Sequence, residues 1–116
     1  PNHYAASLQN YFGKDFETEM NAFLTGASLD VRVNTVLAPL QKVKDYLAAD
    51  NVEVEDFQYS PYGLRVKGKT FLSKTKAFSK GWIDIQDEGS QLIALACNAK
   101  PGMQVLDYCA GAGGKT

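Results

Sequence analysis

The chain has 116 residues, of which 22% are charged, and its formal net charge at pH 7 is −1. This length suits a compact domain, and no apolar run approaches the roughly 18 residues that a membrane-spanning helix needs. Two cysteines and one histidine are too few for a disulfide framework or a metal site. We expect a cytoplasmic monomer without metal or membrane anchor and, because it starts at Pro1 rather than Met, a piece of a longer protein.

Two helices are predicted at the start of the chain. Apolar residues recur at helical spacing over residues 3–13, and Asp15 is placed to cap a second helix that ends near Gly26. We expect the apolar stripes to be core-packing surfaces, and we treat residues 1–28 as an N-terminal helical segment. The stripes comprise Tyr4, Leu8, Tyr11, Phe12, Phe16, Met20, Phe23 and Leu24.

A small sheet is predicted to follow, over residues 29–81. Residues 29–35 and 52–57 each alternate apolar and polar side chains, as half-buried strands do. Pro39 suits the first turn of a helix between them, and a turn at residues 60–63 returns the chain as a paired strand. This β-α-β-β order is typical of an RRM-like or ferredoxin-like sheet, so the predicted fold class is α+β.

Residues 82–116 are predicted to begin a Rossmann-like core. A strand at residues 82–85 leads into a helix from Asp87, and a later apolar run that ends at Asp107 predicts a buried strand. The glycine-rich loop Cys109–Lys115 comes next. A strand that feeds such a loop brings backbone N–H groups to a nucleotide-like ligand in α/β sheets.

Two kinds of ligand fit this glycine loop on sequence grounds. Gly114-Lys115-Thr116 matches the end of the phosphate-binding loop of nucleoside triphosphatases, but that loop needs a glycine where this chain has Cys109. In a methyltransferase-type loop, Asp107 ends the strand and the glycines let the backbone approach S-adenosylmethionine. We favour the second interpretation, and a plain strand–helix turn is the remaining alternative.

Positive charge is concentrated between Asp56 and Asp84, where the chain has no acidic residue. Aromatic residues lie among these cations, a composition typical of grooves that bind single-stranded nucleic acid. The alternative is a sheet edge protected by lysines, with the aromatic rings in the core. The candidate RNA-binding cations are Arg65, Lys67, Lys69, Lys74, Lys76 and Lys80.

Arg32 and Asn34 share the polar face of the first predicted strand. Arginine can bind a phosphate through two N–H groups and asparagine can read a base, so both residues are candidate RNA contacts. The alternative for Arg32 is an ion pair with an acidic residue, such as Asp87 or Glu88, that would hold the two predicted domains together. Gln86 and Asp87 could either cap the following helix or line a cleft.

Three segments together resemble the Sun-type family of RNA cytosine-5 methyltransferases. Residues 86–91 read QDEGSQ, residues 100–111 read KPGMQVLDYCAG, and residues 30–35 read DVRVNT, close to a helix start, a cofactor loop and a strand of that family. The resemblance runs from residue 29 to the end of the chain. One departure is Ala112, where many members of the family have proline.

The resemblance implies methyl transfer from S-adenosylmethionine to C5 of a cytosine in RNA, with ribosomal RNA as the expected substrate. In this chemistry a cysteine thiolate adds to C6 so that C5 can attack the methyl group. Neither Cys97 nor Cys109 matches the family's catalytic motifs. We therefore expect the catalytic residues beyond Thr116 and no activity from these 116 residues alone. The implied cofactor-binding residues are Cys109, Ala110, Gly111, Ala112, Gly113, Gly114 and Lys115.

Two other function classes stay open at this point. The first is a stand-alone RNA-binding module without catalysis, and the second is a methyltransferase that acts on protein or DNA.

Overall fold

The computed structural model describes residues 2–116. In chain order its helices and strands are α1 (Asn2–Phe12), α2 (Phe16–Leu24), β1 (Leu29–Val33), α3 (Leu40–Ala49), β2 (Val54–Asp56), β3 (Gly63–Val66), α4 (Lys76–Ser79), β4 (Ile83–Ile85) and α5 (Glu88–Ala96). Short 3₁₀ turns precede α2 and α4. The predicted mixture of helices with a small sheet is confirmed.

The four strands form one antiparallel sheet in the order β2-β3-β1-β4. Val31 in the central strand β1 is paired with Leu64 of β3 on one side and with Ile85 of β4 on the other. The connections β1-α3-β2 and β3-α4-β4 each pass over one intervening strand. Because β4 pairs with β1, the sheet extends past the boundary that the sequence predicts at Gly81.

The core lies between one face of the sheet and helices α3 and α4. Val31 and Leu64 are fully buried in adjacent strands, and they share an apolar cluster with Val43 and Leu47 of α3. Val43 and Leu47 are four residues apart, which puts both on one side of the helix. The buried core comprises Val31, Val33, Ala38, Val43, Leu47, Val52, Leu64, Val66, Leu72, Ala77 and Ile83.

Helix α5 contacts β1 from the opposite face of the sheet. Gly63 is paired with Arg32 on this polar face, and a Cβ at Gly63 would overlap the Phe57 ring and lie 2.8 Å from Gln91 Oε1 of α5. The sequence predicts Gly63 as a turn residue, whereas it begins β3. Its missing side chain makes room for Phe57 and α5.

The two N-terminal helices pack on each other, and none of the core residues lies in them. Leu8 and Phe16 are half-buried between α1 and α2, whereas Tyr11 and Leu24 are both 82% exposed. The prediction that these stripes form core surfaces is wrong. A helix pair without a sheet beneath it buries only the face that each helix presents to the other. Asp15 precedes α2 as predicted, but its side chain makes no capping hydrogen bond.

The strand predicted to end at Asp107 does not form. Val105 is 68% exposed and Leu106 is 83% exposed, and residues 2–116 offer them no neighbouring strand. A strand needs such a neighbour to satisfy its backbone N–H and C=O groups. The prediction of a buried strand is therefore wrong, and the chain passes from α5 into the glycine loop without entering a sheet.

Candidate functional site

Helix α5 begins with a side-chain cap. Asp87 Oδ1 accepts a hydrogen bond from the Ser90 backbone N–H at 2.9 Å. Hydrogen bonds from the Ser90 side chain and backbone, with the positive charge of Lys115, hold the pKa of Asp87 below its ordinary value. Of the two roles considered for Asp87, capping is the one that the structure shows.

Polar residues from the first turns of α5 hold the connection between β2 and β3. Glu88 Oε1 accepts hydrogen bonds from the backbone N–H groups of Tyr59 at 2.7 Å and Ser60 at 3.1 Å. Gln91 is 2% exposed; its Oε1 accepts from Ser60 Oγ at 2.8 Å, and its Nε2 donates to the Gln86 carbonyl oxygen at 2.9 Å. We call Ser60, Gln86, Glu88 and Gln91 the polar cluster.

The polar cluster reaches the glycine loop through Gln86. This side chain is 9% exposed, and its Nε2 donates a hydrogen bond to the carbonyl oxygen of Gly114. Its Oε1 is buried and has no hydrogen-bond partner in residues 2–116. The sequence marks Gln86 as a polar residue before α5 but does not connect it to the loop. The one signal for this role is the run of polar residues at the start of an otherwise apolar helix.

The glycine loop Cys109–Lys115 is exposed along its whole length. Gly111 and Gly113 have φ values of 57° and 81°, which favour glycine, and no atom lies within 4 Å of a Cβ built at Gly111, Gly113 or Gly114. The Gly113 N–H donates to the Ala110 carbonyl at 2.9 Å. The loop therefore offers backbone groups to a ligand with no side chain in the way.

Thr116, at the end of the loop, hydrogen-bonds back to Asp107 before the loop and to Gly113 within it. Thr116 Oγ1 donates to Asp107 Oδ2 at 2.7 Å, and the Thr116 N–H donates to the Gly113 carbonyl at 3.2 Å. Asp107 therefore closes the loop with its carboxylate although the predicted strand before it is absent.

Arg65 forms a two-point ion pair with a carboxylate from another strand. Its Nε and Nη2 donate to Oδ1 and Oδ2 of Asp30 at 2.8 Å and 3.0 Å. The hydrogen bond from Arg65 is the main cause that lowers the pKa of Asp30, and burial opposes it. Arg65 CZ also lies 5.4 Å from the centroid of the Phe57 ring. These contacts make Arg65 part of the sheet's polar face.

Two further predicted RNA contacts are ion-paired within the sheet. Arg32 Nη2 lies 3.4 Å from Asp84 Oδ2, and Lys67 Nζ lies 3.4 Å from Glu55 Oε2. The alternative that Arg32 pairs with an acidic residue is the one that the structure shows, but the partner is Asp84 rather than Asp87 or Glu88, because the β1–β4 register sets Arg32 opposite Asp84. The stretch without acidic residues is thus partly neutralised by neighbouring strands.

Asn34 shapes the connection from β1 to α3. Its Oδ1 accepts from the Val36 N–H at 3.2 Å, and its carbonyl oxygen accepts from the N–H groups of Leu37 and Ala38. Asn34 is half-buried. These bonds assign it a local turn role.

The other predicted cations carry no ion pair within the described residues. They are exposed and lie between the end of β3 and the start of β4: Lys69, Lys74, Lys76 and Lys80.

The Trp82 ring contacts two lysine ammonium groups, one of them from the cations between β3 and β4. Lys80 Nζ lies 5.2 Å and Lys42 Nζ 4.7 Å from the centroid of the Trp82 ring, and Tyr46 meets the same ring edge-on. Such cation–π contacts are attractive even at exposed sites. The sequence does not predict that Lys42 belongs to this surface. Lys42 lies on α3, 38 positions before Lys80, and no local pattern links the two.

Nothing in the described chain resembles a metal site or a membrane span. Residues 2–116 bring together no group of three or more His, Cys, Asp or Glu side chains that could hold a metal ion. No helix among them combines the length and apolar character needed to cross a membrane. Cys97 and Cys109 are both exposed thiols.

No protein-family model matches the chain. It is 35% identical over 95 residues to the probable ribosomal RNA small subunit methyltransferase B of Synechocystis. This alignment covers 81% of this chain and 21% of the Synechocystis protein. It is 36% identical over 86 residues to the probable enzyme of the same name from Bacillus subtilis, covering 74% and 19%. The chain belongs to the family of ribosomal RNA small subunit methyltransferase B. It spans about a fifth of the length of these curated relatives.

A solved structure supports the same fold for this member of the methyltransferase B family. The crystal structure of PH0851 superposes with a TM-score of 0.75 at 27% identity, covering 88% of this chain and 23% of that one. The mixed sheet-and-helix arrangement is therefore one that a related chain adopts.

Proposed function

We propose that this chain is part of an S-adenosylmethionine-dependent methyltransferase that methylates C5 of a cytosine in ribosomal RNA. The observation that carries the proposal is the glycine loop, which is exposed, open at Gly111, Gly113 and Gly114, and joined to α5 through Gln86. Such a loop suits a ligand that must lie against the backbone. When bound, S-adenosylmethionine supplies an activated methyl group.

The residues of the loop fit the methionine part of this cofactor. Residues 109–115 present backbone N–H groups at the surface, and a carboxylate is a favoured acceptor for such groups. Positive φ values at Gly111 and Gly113 turn successive peptide units, which suits a concave anion site. We assign residues 109–115 to hold the cofactor and assign no catalytic role to any residue of this chain.

We further propose that the sheet is an RRM-like unit that positions RNA. Its unpaired lysines (Lys69, Lys74, Lys76 and Lys80) supply the positive field for phosphates, as single-stranded RNA requires. Arg32, Arg65 and Lys67 are held by carboxylates, so we assign them to the sheet rather than to the RNA. Asn34 is assigned to its turn.

The proposed domain division follows from these roles. An N-terminal helical segment precedes the RRM-like unit, which ends with β4, and α5 with the glycine loop begins the methyltransferase core. The chain lacks the family's catalytic cysteine motifs, so we expect the 116 residues alone to be inactive. We expect the full-length protein to work as a cytoplasmic monomer.

The test is a methylation assay with the full-length protein, ribosomal RNA and isotopically labelled S-adenosylmethionine. Mass spectrometry of the digested RNA should find the label in 5-methylcytidine. Label in another nucleoside, in protein or in DNA would contradict the proposed specificity for C5 of cytosine in RNA. RNA binding without any methyl transfer would favour a binding module instead.

A further inference from the structure

One buried amide ties the glycine loop to the rest of the protein. Gln86 Nε2 donates to the Gly114 carbonyl oxygen. The other hydrogen bonds of residues 109–116 in the described chain stay within the loop or end at Asp107. Apart from Asp107, which bonds to Thr116, Gln86 is thus the one described residue outside residues 109–116 that hydrogen-bonds to this segment.

Gln86 is itself held firmly on both sides. Its N–H donates to the Asp30 carbonyl oxygen of β1 at 3.0 Å, and its carbonyl oxygen accepts from Gln91 Nε2 of α5 at 2.9 Å. Its backbone is therefore clamped between the sheet and the helix. A side chain anchored in this way reaches the loop from a fixed point.

The contact sets the orientation of one peptide plane in the loop. In a trans peptide the C=O of Gly114 and the N–H of Lys115 point in opposite directions. Because Gln86 draws the Gly114 carbonyl towards itself, the Lys115 N–H points away from Gln86. That N–H has no hydrogen-bond partner in residues 2–116, so it can donate to a ligand.

We propose that Gln86 is a positioning residue for the cofactor loop, turning the Lys115 N–H towards the ligand through its hydrogen bond to Gly114. The ligand is S-adenosylmethionine only insofar as the proposed function holds; the attachment of the loop does not depend on it.

The second polar atom of Gln86 argues against a purely structural role. Its Oε1 is buried without a donor, and an unsatisfied buried acceptor destabilises a fold. An apolar side chain of the same size would fill the space without that penalty. An amide at this position is therefore explained by the bond it donates to the loop.

The test compares Gln86→Met and Gln86→Glu in the full-length protein with the matched exposed change Gln9→Glu on α1. Met keeps the volume and removes both polar atoms, whereas Glu keeps an acceptor and loses the N–H donor. The first readout is the rate of tryptic cleavage after Lys115 without ligand, relative to cleavage after the exposed Lys69. We expect a several-fold increase in both Gln86 variants and no change in Gln9→Glu.

The second readout is calorimetric affinity for S-adenosylmethionine together with the melting temperature. Gln86→Met should bind at least about tenfold more weakly while melting at the same or a higher temperature, a combination that a packing role does not give. Unchanged cleavage after Lys115, or unchanged affinity with faster cleavage, would overturn the positioning role. If the parent binds no S-adenosylmethionine, the proposed function fails, and cleavage alone decides whether Gln86 holds the loop.

Discussion

Asp30 and Arg65 form a two-point ion pair across strands β1 and β3, although they lie 35 positions apart in the chain. The Asp30 side chain is 4% exposed and that of Arg65 is 40% exposed. The pair therefore joins a buried carboxylate to a guanidinium at the surface. It also neutralises the first cation of a stretch that has no acidic residue of its own.

The first prediction concerns this pair. Asp30→Asn should destabilise the fold at pH 7 by about 1–3 kcal/mol, because a buried partner of a charged hydrogen bond is lost. The folded-state pKa of Asp30 is lowered, so its stabilisation is present above about pH 4 and disappears as the pH falls through the folded pKa. Urea unfolding at pH 7 and pH 3 measures both effects.

A matched control is available on the other side of β1, in its ladder with β4. Asp84, whose side chain is 71% exposed, pairs with Arg32 at 3.4 Å. Asp84→Asn should cost less than about 1 kcal/mol, as exposed ion pairs do. If Asp30→Asn and Asp84→Asn lower the free energy of unfolding equally, burial of Asp30 adds nothing to the stability of its pair with Arg65.

The second prediction concerns the cap of α5. Asp87→Ala should destabilise the protein by about 1 kcal/mol, whereas Asp87→Asn should keep most of the stability because asparagine caps equally well. The pKa of Asp87 is lowered by its hydrogen bonds from Ser90, so the advantage of Asp over Asn should fade below about pH 4. Asp15→Ala is the control, since Asp15 precedes α2 without a capping bond. Thermal unfolding that ranks Asp15→Ala as the more damaging change would contradict the prediction.

The third prediction tests the close contact at Gly63. Gly63→Ala should destabilise the fold by about 1–3 kcal/mol, because the new methyl group overlaps Phe57 and approaches Gln91. Gly26→Ala, where the Cβ meets open space, should be neutral or slightly stabilising. Chemical unfolding of both variants measures the two changes in stability. A neutral Gly63→Ala would show that the Phe57 ring and the Gln91 side chain can move away from β3 at little cost.

The fourth prediction concerns the glycine loop. Gly113→Val should weaken S-adenosylmethionine binding in the full-length protein by at least about tenfold, or about 1.4 kcal/mol, because a branched side chain would stand where the ligand approaches. Gly68→Val provides the matched control: Gly68 has a φ of 73°, close to the 81° of Gly113, and also faces open space. Both changes strain the backbone, but only the first should alter calorimetric affinity. Equal affinity in the two variants would remove the loop from the site.

The fifth prediction concerns RNA. If the four unpaired lysines each meet a phosphate, the slope of log K against log salt should be about −3, at about −0.7 per contact. Replacing Lys74 and Lys80 together by Glu should flatten the slope by about 1.4. Replacing the exposed Lys14 and Lys100 by Glu changes the net charge equally and should leave the slope unchanged. Filter binding over a salt series measures this, and identical slopes would assign the lysine stretch to sheet protection alone.

Local patterns were enough to predict most of the elements. Alternation over residues 29–35, Pro39 before a helix, and Asp87 with Ser90 before another helix each act over a few residues, and each element forms. The glycine loop was likewise visible because positive φ at Gly111 and Gly113 is a property of the residue type. Family membership followed from three such local motifs at their spacing.

Contacts between distant residues were beyond the reach of these patterns. Arg32, Arg65 and Lys67 look like free cations in the sequence. Strand register sets Arg32 opposite Asp84 and Arg65 opposite Asp30, whereas Lys67, just after β3, reaches Glu55 of β2 with its side chain. The exposed N-terminal helices and the missing strand before Asp107 have the same origin, because amphipathic spacing predicts an apolar face but not the partner that would cover it.

The amino-acid sequence by itself determined where the helices, strands and glycine loop lie, since those depend on backbone preferences and on periodicity over a few residues. Only the tertiary structure decided that Gln86 holds Gly114, that Ser60 meets Gln91, and which lysines stay unpaired. These contacts join residues up to 31 positions apart. They depend on how α5 lies on the sheet, where the missing side chain of Gly63 makes room for Phe57 and Gln91.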